Sequence, residues 1–254
     1  MPEVRIGDHT WYYERQGRGT PLLMLHGALG TGTSEFRYQL EPFAAQHDLI
    51  VPDLPGYGRS SPRLVFTADF YEEDARDVAT FIERVIGQPT HLFGFSDGGI
   101  IAPLVAARWP HLVRSLVLES GQAVIDEQTM QAVRAWLPLD ALPESWRKSL
   151  ARNHGEPYWR LLVQRYIEGQ ERVFARGGDV CSAALEAIRC PTLLIHGDRD
   201  PFVGIQHGHM LHQRIAGSEL VVFDGAGHSV HREQVEAFNK LVLDFLARVD
   251  SAQG

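Results

Sequence analysis

Short apolar runs recur along the chain, spaced so that one amphipathic helix fits between most neighbours. "PLLMLHG" (21–27), "DLIVPDLPG" (48–56), "HLFGF" (91–95), "VRSLVLES" (113–120), "PTLLIHG" (191–197) and "ELVVFDG" (219–225) read as buried strands. "EVRI" and "TWYYER", parted by Gly7-Asp8, read as an opening antiparallel hairpin. Between the runs, "SEFRYQLEPFAAQ" (34–46) and "TADFYEEDARDVATFIERVIG" (67–87) carry apolar residues at helical spacing, as do Asp97 to Trp109, 205–216 and "REQVEAFNKLVLDFLARV" (232–249). The early acids of the 67–87 segment suit the positive end of a helix dipole. The alternation predicts the α/β class, a sheet with helices on both faces.

From 121 to 187 the alternation stops. Trp136, Trp146, Tyr158, Trp159 and Tyr166 fall on helical segments there, with no strand-like run among them. The pattern predicts a core of 1–120 and 188–254, with 121–187 inserted as a helical cap. Such a cap would cover the carboxyl ends of the strands, where open α/β sheets bind ligands.

Composition narrows the function classes. The chain has 254 residues, 44% hydrophobic, enough for a sizeable core without disulfides or metals. A net charge of −8 and the lack of a Lys/Arg block argue against a nucleic-acid partner. Cys181 and Cys190 form no framework and no C-x-x-C pair, which fits a reducing compartment. The first residues show no basic and then apolar leader, and no apolar run approaches the roughly 20 residues of a membrane span. The expectation is a cytoplasmic protein, monomeric or a small homo-oligomer, with no membrane partner.

"GFSDGG" (94–99) lies where a strand gives way to a helix. Gly94-Phe95-Ser96-Asp97-Gly98 fits G-x-S-x-G, in which small neighbours let the strand and helix approach while a strained serine is pushed out of the turn. Such a hydroxyl needs a base, and the base an orienting acid. Downstream, "LLIHGDRDPFV" offers Asp198 and Asp200, and "VVFDGAGHSVH" offers His228 and His231. Asp200 closes a G-x-x-D turn, and His228 follows the glycine loop Gly225-Ala226-Gly227; these are the chosen acid and base. Glu119, at the end of the sixth strand, is the alternative acid. The N–H groups of Asp97 and, in the "HGALG" loop, Ala28 are the expected oxyanion donors, and His26 is expected to brace that loop. The loop lacks the G-K-[ST] ending of a phosphate-binding loop. His207, His209 and His212 do not have the H-E-x-x-H spacing and read as a surface helix, so no metal and no cofactor are expected.

Together, "HGALG", "DLPGYGRS", "GFSDGG", "HGDRDPFV" and "GAGH" occur in the order found in the α/β-hydrolase family, which the whole chain resembles. "DFYEEDARDV", "GGDVCSAAL" and "GHSVH…AFNKLVLDFL" are similar to the biphenyl hydrolase-like serine hydrolases, which cleave α-amino acid esters. The resemblance implies an α/β-hydrolase fold with a mostly parallel eight-stranded sheet, and a cofactor-free hydrolysis of a small-molecule ester through Ser96, Asp200 and His228. It further implies that the Asp97 carboxylate holds a substrate α-amino group. His26 stands where that group has proline, and "PDLPGYG" lacks the arginine of its "DPRGYG". The alternatives are an enol-lactonase or other C–O or C–C bond hydrolase, a lyase, dioxygenase or perhydrolase on the same fold, or a non-catalytic ligand-binding module. Dehalogenation would need an aspartate in place of Ser96.

Overall fold

The computed structural model describes residues 2–253. Eight strands form one sheet in the order β1-β2-β4-β3-β5-β6-β7-β8. The hairpin β1 (Glu3–Ile6) and β2 (His9–Gly17) is antiparallel, and β2 also runs antiparallel to β4 (Asp48–Pro52). From β4 onward, β3 (Pro21–Leu25), β5 (Thr90–Phe95), β6 (Val113–Glu119), β7 (Thr192–Gly197) and β8 (Glu219–Phe223) pair in parallel. β3, β5 and β7 are buried at every position, as strands covered on both faces must be, and so read as continuous rather than alternating apolar runs.

The pleat nevertheless divides their side chains. Leu23 and Leu25 join the core on one face, with α3 (Phe70–Phe81) and α4 (Gly98–Arg108). Leu22 and Met24 join the core on the other face, with α2 (Leu40–Ala44) and α10 (Val235–Gln253). Where a single helix was expected over 34–46, the chain forms α1 (Gly32–Glu35), a break, and then α2. At the break, Phe36 turns into the core, and Gln39 Nε2 donates to His231 O at 2.8 Å. The C-terminal pattern likewise divides into α9 (Val230–Glu233) and α10.

Between β6 and β7 the chain is helical: α5 (Glu127–Arg134), α6 (Glu144–His154) and α7 (Tyr158–Ala175), with short 3₁₀ turns; α8 (Ile205–Arg214) then links β7 to β8. The chain leaves β3 toward β4 on one side and reaches β5 on the other. The crevice where strand order reverses therefore opens beyond β3 and β5. Among the described residues no helix is long and apolar enough to cross a membrane.

Candidate active site

Ser96 follows the last residue of β5 and precedes α4, with φ of 52°. A non-glycine residue in the left-handed region is strained by about 1 kcal/mol or more. The close passage of strand and helix holds it there. A Cβ at Gly94 would lie 2.1 Å from Gly98 O, and one at Gly98 would lie 2.3 Å from Leu25 O. Only glycine fits either position, and between them the serine is lifted into a cavity of about 570 Å³.

His228, in the loop after β8, brings Nε2 to 3.0 Å from Ser96 Oγ. Its Nδ1 donates to Asp200 Oδ2 at 2.7 Å, so Nε2 is left to accept the serine proton. Asp200 Oδ1 accepts the N–H groups of Phe202 (2.8 Å) and Val203 (2.9 Å). Burial works against ionisation of Asp200, but these bonds and the one from His228 outweigh it and hold its carboxyl below the usual range. Phe95 and Phe202 flank the imidazole at 5.0 and 5.1 Å between ring centres. Ser120, itself at a φ of 48°, donates its hydroxyl to His228 O at 2.8 Å. Asp198 serves the turn instead, accepting Gly225 N–H at 2.7 Å.

Ala28 lines the cavity beside Ser96, and neither its N–H nor that of Asp97 donates to a described residue. Leu29 is in the left-handed region (φ 59°), and its N–H is likewise free. His26 is fully buried; its Nδ1 donates to Gly27 O (2.7 Å) and its Nε2 accepts Leu54 N–H (2.9 Å). His154, at the end of α6, donates Nε2–H to Leu29 O (2.9 Å) and accepts Gly58 N–H at Nδ1 (2.9 Å). The loop is thus tied from below by His26 and from above by His154.

Asp97 makes no capping bond to α4. In its carboxylate, Oδ1 accepts the hydroxyls of Tyr71 (2.8 Å) and Tyr166 (3.0 Å). Burial raises its pKa to about 6 despite these two bonds. The two donors matter, because a bare carboxylate beside a developing oxyanion would oppose it. Tyr71, Tyr166 and their partner Gln170 carry no sequence motif. Tyr71 on α3 lies far in the chain from Tyr166 and Gln170 on α7, and a helix tyrosine ordinarily reads as core.

Glu119, fully buried at the tip of β6, faces a different histidine. Its Oε2 lies 2.9 Å from His231 Nδ1, and its Oε1 accepts His231 N–H at 3.0 Å. On the far side, His231 Nε2 is 3.5 Å from Glu35 Oε1, and Glu35 pairs with Arg232. Burial opposes the charge on His231, but the two carboxylates prevail and raise its pKa to about 9. The cavity lining includes Arg37, Arg152 and Arg232, the last paired to Glu35; Trp136, Trp146 and Val133 supply apolar wall.

His207, His209 and His212 do not converge. His207 is buried against Asp126 (3.0 Å), and His212 meets Ser218 Oγ (2.9 Å). Among the described residues, His47, His91 and Asp250 lie close enough together to share an ion, near the start of β5. Arg114 Nε already donates to Asp250 Oδ1 there, at 2.7 Å. A cation would have to compete with that guanidinium, so the donor set fits a metal poorly.

Residues 22–241 match the description of the alpha/beta hydrolase family. The chain is 32% identical to the serine hydrolase BPHL of Mus musculus, over 96% of this chain and 85% of that protein. It is 28% identical to the 2-hydroxy-6-oxononadienedioate/2-hydroxy-6-oxononatrienedioate hydrolase of Escherichia coli strain K12, over 89% and 87%. In fold it is similar to the meta-cleavage product hydrolase of Pseudomonas fluorescens IP01, with a TM-score of 0.82, 18% identity and 98% of each chain covered. The eight-stranded sheet, the serine at its strained turn and these likenesses agree: the chain belongs to the alpha/beta hydrolase family and is a serine hydrolase.

Proposed function

We propose that the protein cleaves small carboxylic esters without a cofactor, through an acyl-enzyme on Ser96, and prefers esters with a free α-amino group. The hydrogen-bonded chain Ser96–His228–Asp200 at the cavity floor carries this reading. His228 Nε2 takes the serine proton as Oγ adds to the ester carbonyl, and the Asp200 carboxylate stabilises the imidazolium. The N–H groups of Ala28 and Asp97 are free to receive the oxyanion, supported by the N-terminus of α4. As the tetrahedral adduct collapses, the alkoxide leaves with the proton from His228. Water, deprotonated by the same nitrogen, then releases the acid and restores the serine. The segment 121–187 serves as the cap over this cavity.

The amino preference is supported by the Asp97 carboxylate, which lines the cavity next to the nucleophile without capping its helix. The test is a paired assay of valine ethyl ester against N-acetylvaline ethyl ester on unlabelled enzyme, with fluorophosphonate labelling of Ser96 measured on a separate sample. Rapid labelling with preferential cleavage of the free amine is expected; labelling without that preference would leave a general esterase.

A second reading, hydrolysis of an acidic substrate at a C–C bond, draws on the three arginines in the cavity lining and on the likeness to the E. coli hydrolase. Turnover of a ring-cleavage dienoate faster than of any ester would favour it.

A further inference from the structure

Four hydrogens are shared behind the Asp97 carboxylate, and only one arrangement satisfies them. Gln170 Nε2 lies 2.6 Å from the Tyr71 hydroxyl and 2.5 Å from that of Tyr166, which accounts for both amide hydrogens. Each hydroxyl, having accepted one hydrogen, directs its own at Asp97 Oδ1. Tyr71, Tyr166 and Gln170 are all buried to within 2% of complete. Tyr166 and Gln170 stand one turn apart on α7, while Tyr71 comes from α3.

Gln170 Oε1 is buried without a partner. Reversing the amide would not cure this. It would bury an unpartnered NH₂ instead, present an acceptor to both hydroxyls, and draw their protons from a buried carboxylate. An orphaned charge is costlier than an orphaned amide oxygen, so the present direction wins. Asp97 Oδ2 accepts from no described residue and is not sealed off, on a residue that lines the cavity.

We infer that Gln170, Tyr71 and Tyr166 are positioning residues that hold Asp97 with one oxygen occupied and one presented, so that the site takes a primary ammonium and rejects a guanidinium. A guanidinium pairs best side-on with both carboxylate oxygens, and here one is already filled twice. An ammonium is a point donor and needs only one. The inference rests on the reading of Asp97 as the ammonium site.

The experiment compares glycine ethyl ester, guanidinoacetate ethyl ester and ethyl acetate with the wild type and with Asp97→Asn, Tyr166→Phe and Gln170→Glu. In the wild type, the glycine ester is expected to exceed the guanidino ester by about tenfold or more in kcat/KM. Gln170→Glu replaces the donor with an acceptor and is expected to cut the ratio of glycine ester to ethyl acetate by about 10- to 100-fold, mostly through KM, as for loss of hydrogen bonds to a charged group. Tyr166→Phe, almost isosteric, is expected to cut it about tenfold. Both should move the acid limb of the glycine-ester profile to higher pH, because a carboxylate with fewer donors protonates more readily. The charged or titratable groups facing Asp97 are Tyr57, Tyr71, Tyr166, His228 and Asp74, the last paired to Arg63. A packing role alone would leave that limb in place. If Asp97→Asn abolishes the ratio while both relay variants retain it and the limb, the relay inference is overturned and the ammonium reading stands. If Asp97→Asn itself retains the ratio, the ammonium reading fails.

Discussion

Glu119 directs its carboxylate at His231, with Oε2 2.9 Å from Nδ1, although His228 lies only three residues earlier, in the loop that leads into α9. His228 is instead served by Asp200 at 2.7 Å. The two buried acids are therefore separated by partner, and different losses are expected. Asp200→Asn should lower kcat by roughly 10⁴-fold while the fold persists, since it removes the charge that supports the imidazolium. Glu119→Gln should chiefly lower the unfolding midpoint in urea. A larger fall in kcat for Glu119→Gln than for Asp200→Asn would reverse the assignment.

His231 gives that separation a pH signature. Its folded-state pKa is raised from an ordinary 6.5 to about 9 by Glu119 and Glu35 against the opposing effect of burial. The stabilisation is fully present below pH 6.5 and is lost as the pH rises through 9, on the order of 3 kcal/mol in all. Urea titrations from pH 6 to 10 should show this decline in the wild type. In His231→Gln the corresponding part of the slope should be absent. A wild-type minus variant difference that is flat across that window would contradict the assignment.

Ser96→Ala should abolish ester turnover, by about 10³-fold or more in kcat, and fluorophosphonate labelling with it. Circular dichroism should be unchanged, because among the described residues the side chain bonds only to His228. Turnover surviving in rigorously purified variant would rule out the serine mechanism.

Removing one partner of a desolvated charge pair typically costs about 2–5 kcal/mol. Asp97→Ala should therefore cut kcat/KM for valine ethyl ester by roughly 30- to several-thousand-fold relative to p-nitrophenyl acetate. The donor proposed for the oxyanion at this position is a backbone N–H, which the substitution retains. Equal losses on the two substrates would reduce Asp97 to a residue that shapes the turn.

Much of this was legible because it is local. The buried strands announce themselves as short apolar runs, and Gly94, Ser96 and Gly98 encode a turn whose sterics need no distant partner. The choice between His228 and His231 was harder to read: both follow the same strand, and only the path of the loop decides which imidazole faces Ser96 and which faces Glu119. The sequence marked Tyr166 only as one of the aromatics of the inserted helices, and nothing in it pointed to Tyr71 or Gln170, which are 99 residues apart and belong to no motif. The break at Phe36 escaped for a related reason. Helical periodicity continues through it, and the burial of Phe36 and the reach of Gln39 to His231 override the pattern.

The His154 bridge has a practical corollary for anyone wishing to pare the protein down. Burial pushes its pKa to about 4, so it remains a neutral ring, donor on one side and acceptor on the other, throughout the working range of such enzymes. It clasps Leu29 O and Gly58 N–H, both of which belong to the sheet portion, yet it is supplied by the inserted helices. Excising those helices would thus remove a strut from the loop that carries Ala28, the proposed oxyanion donor. A minimal version would need a replacement tether at Leu29 before it could be expected to turn over at all.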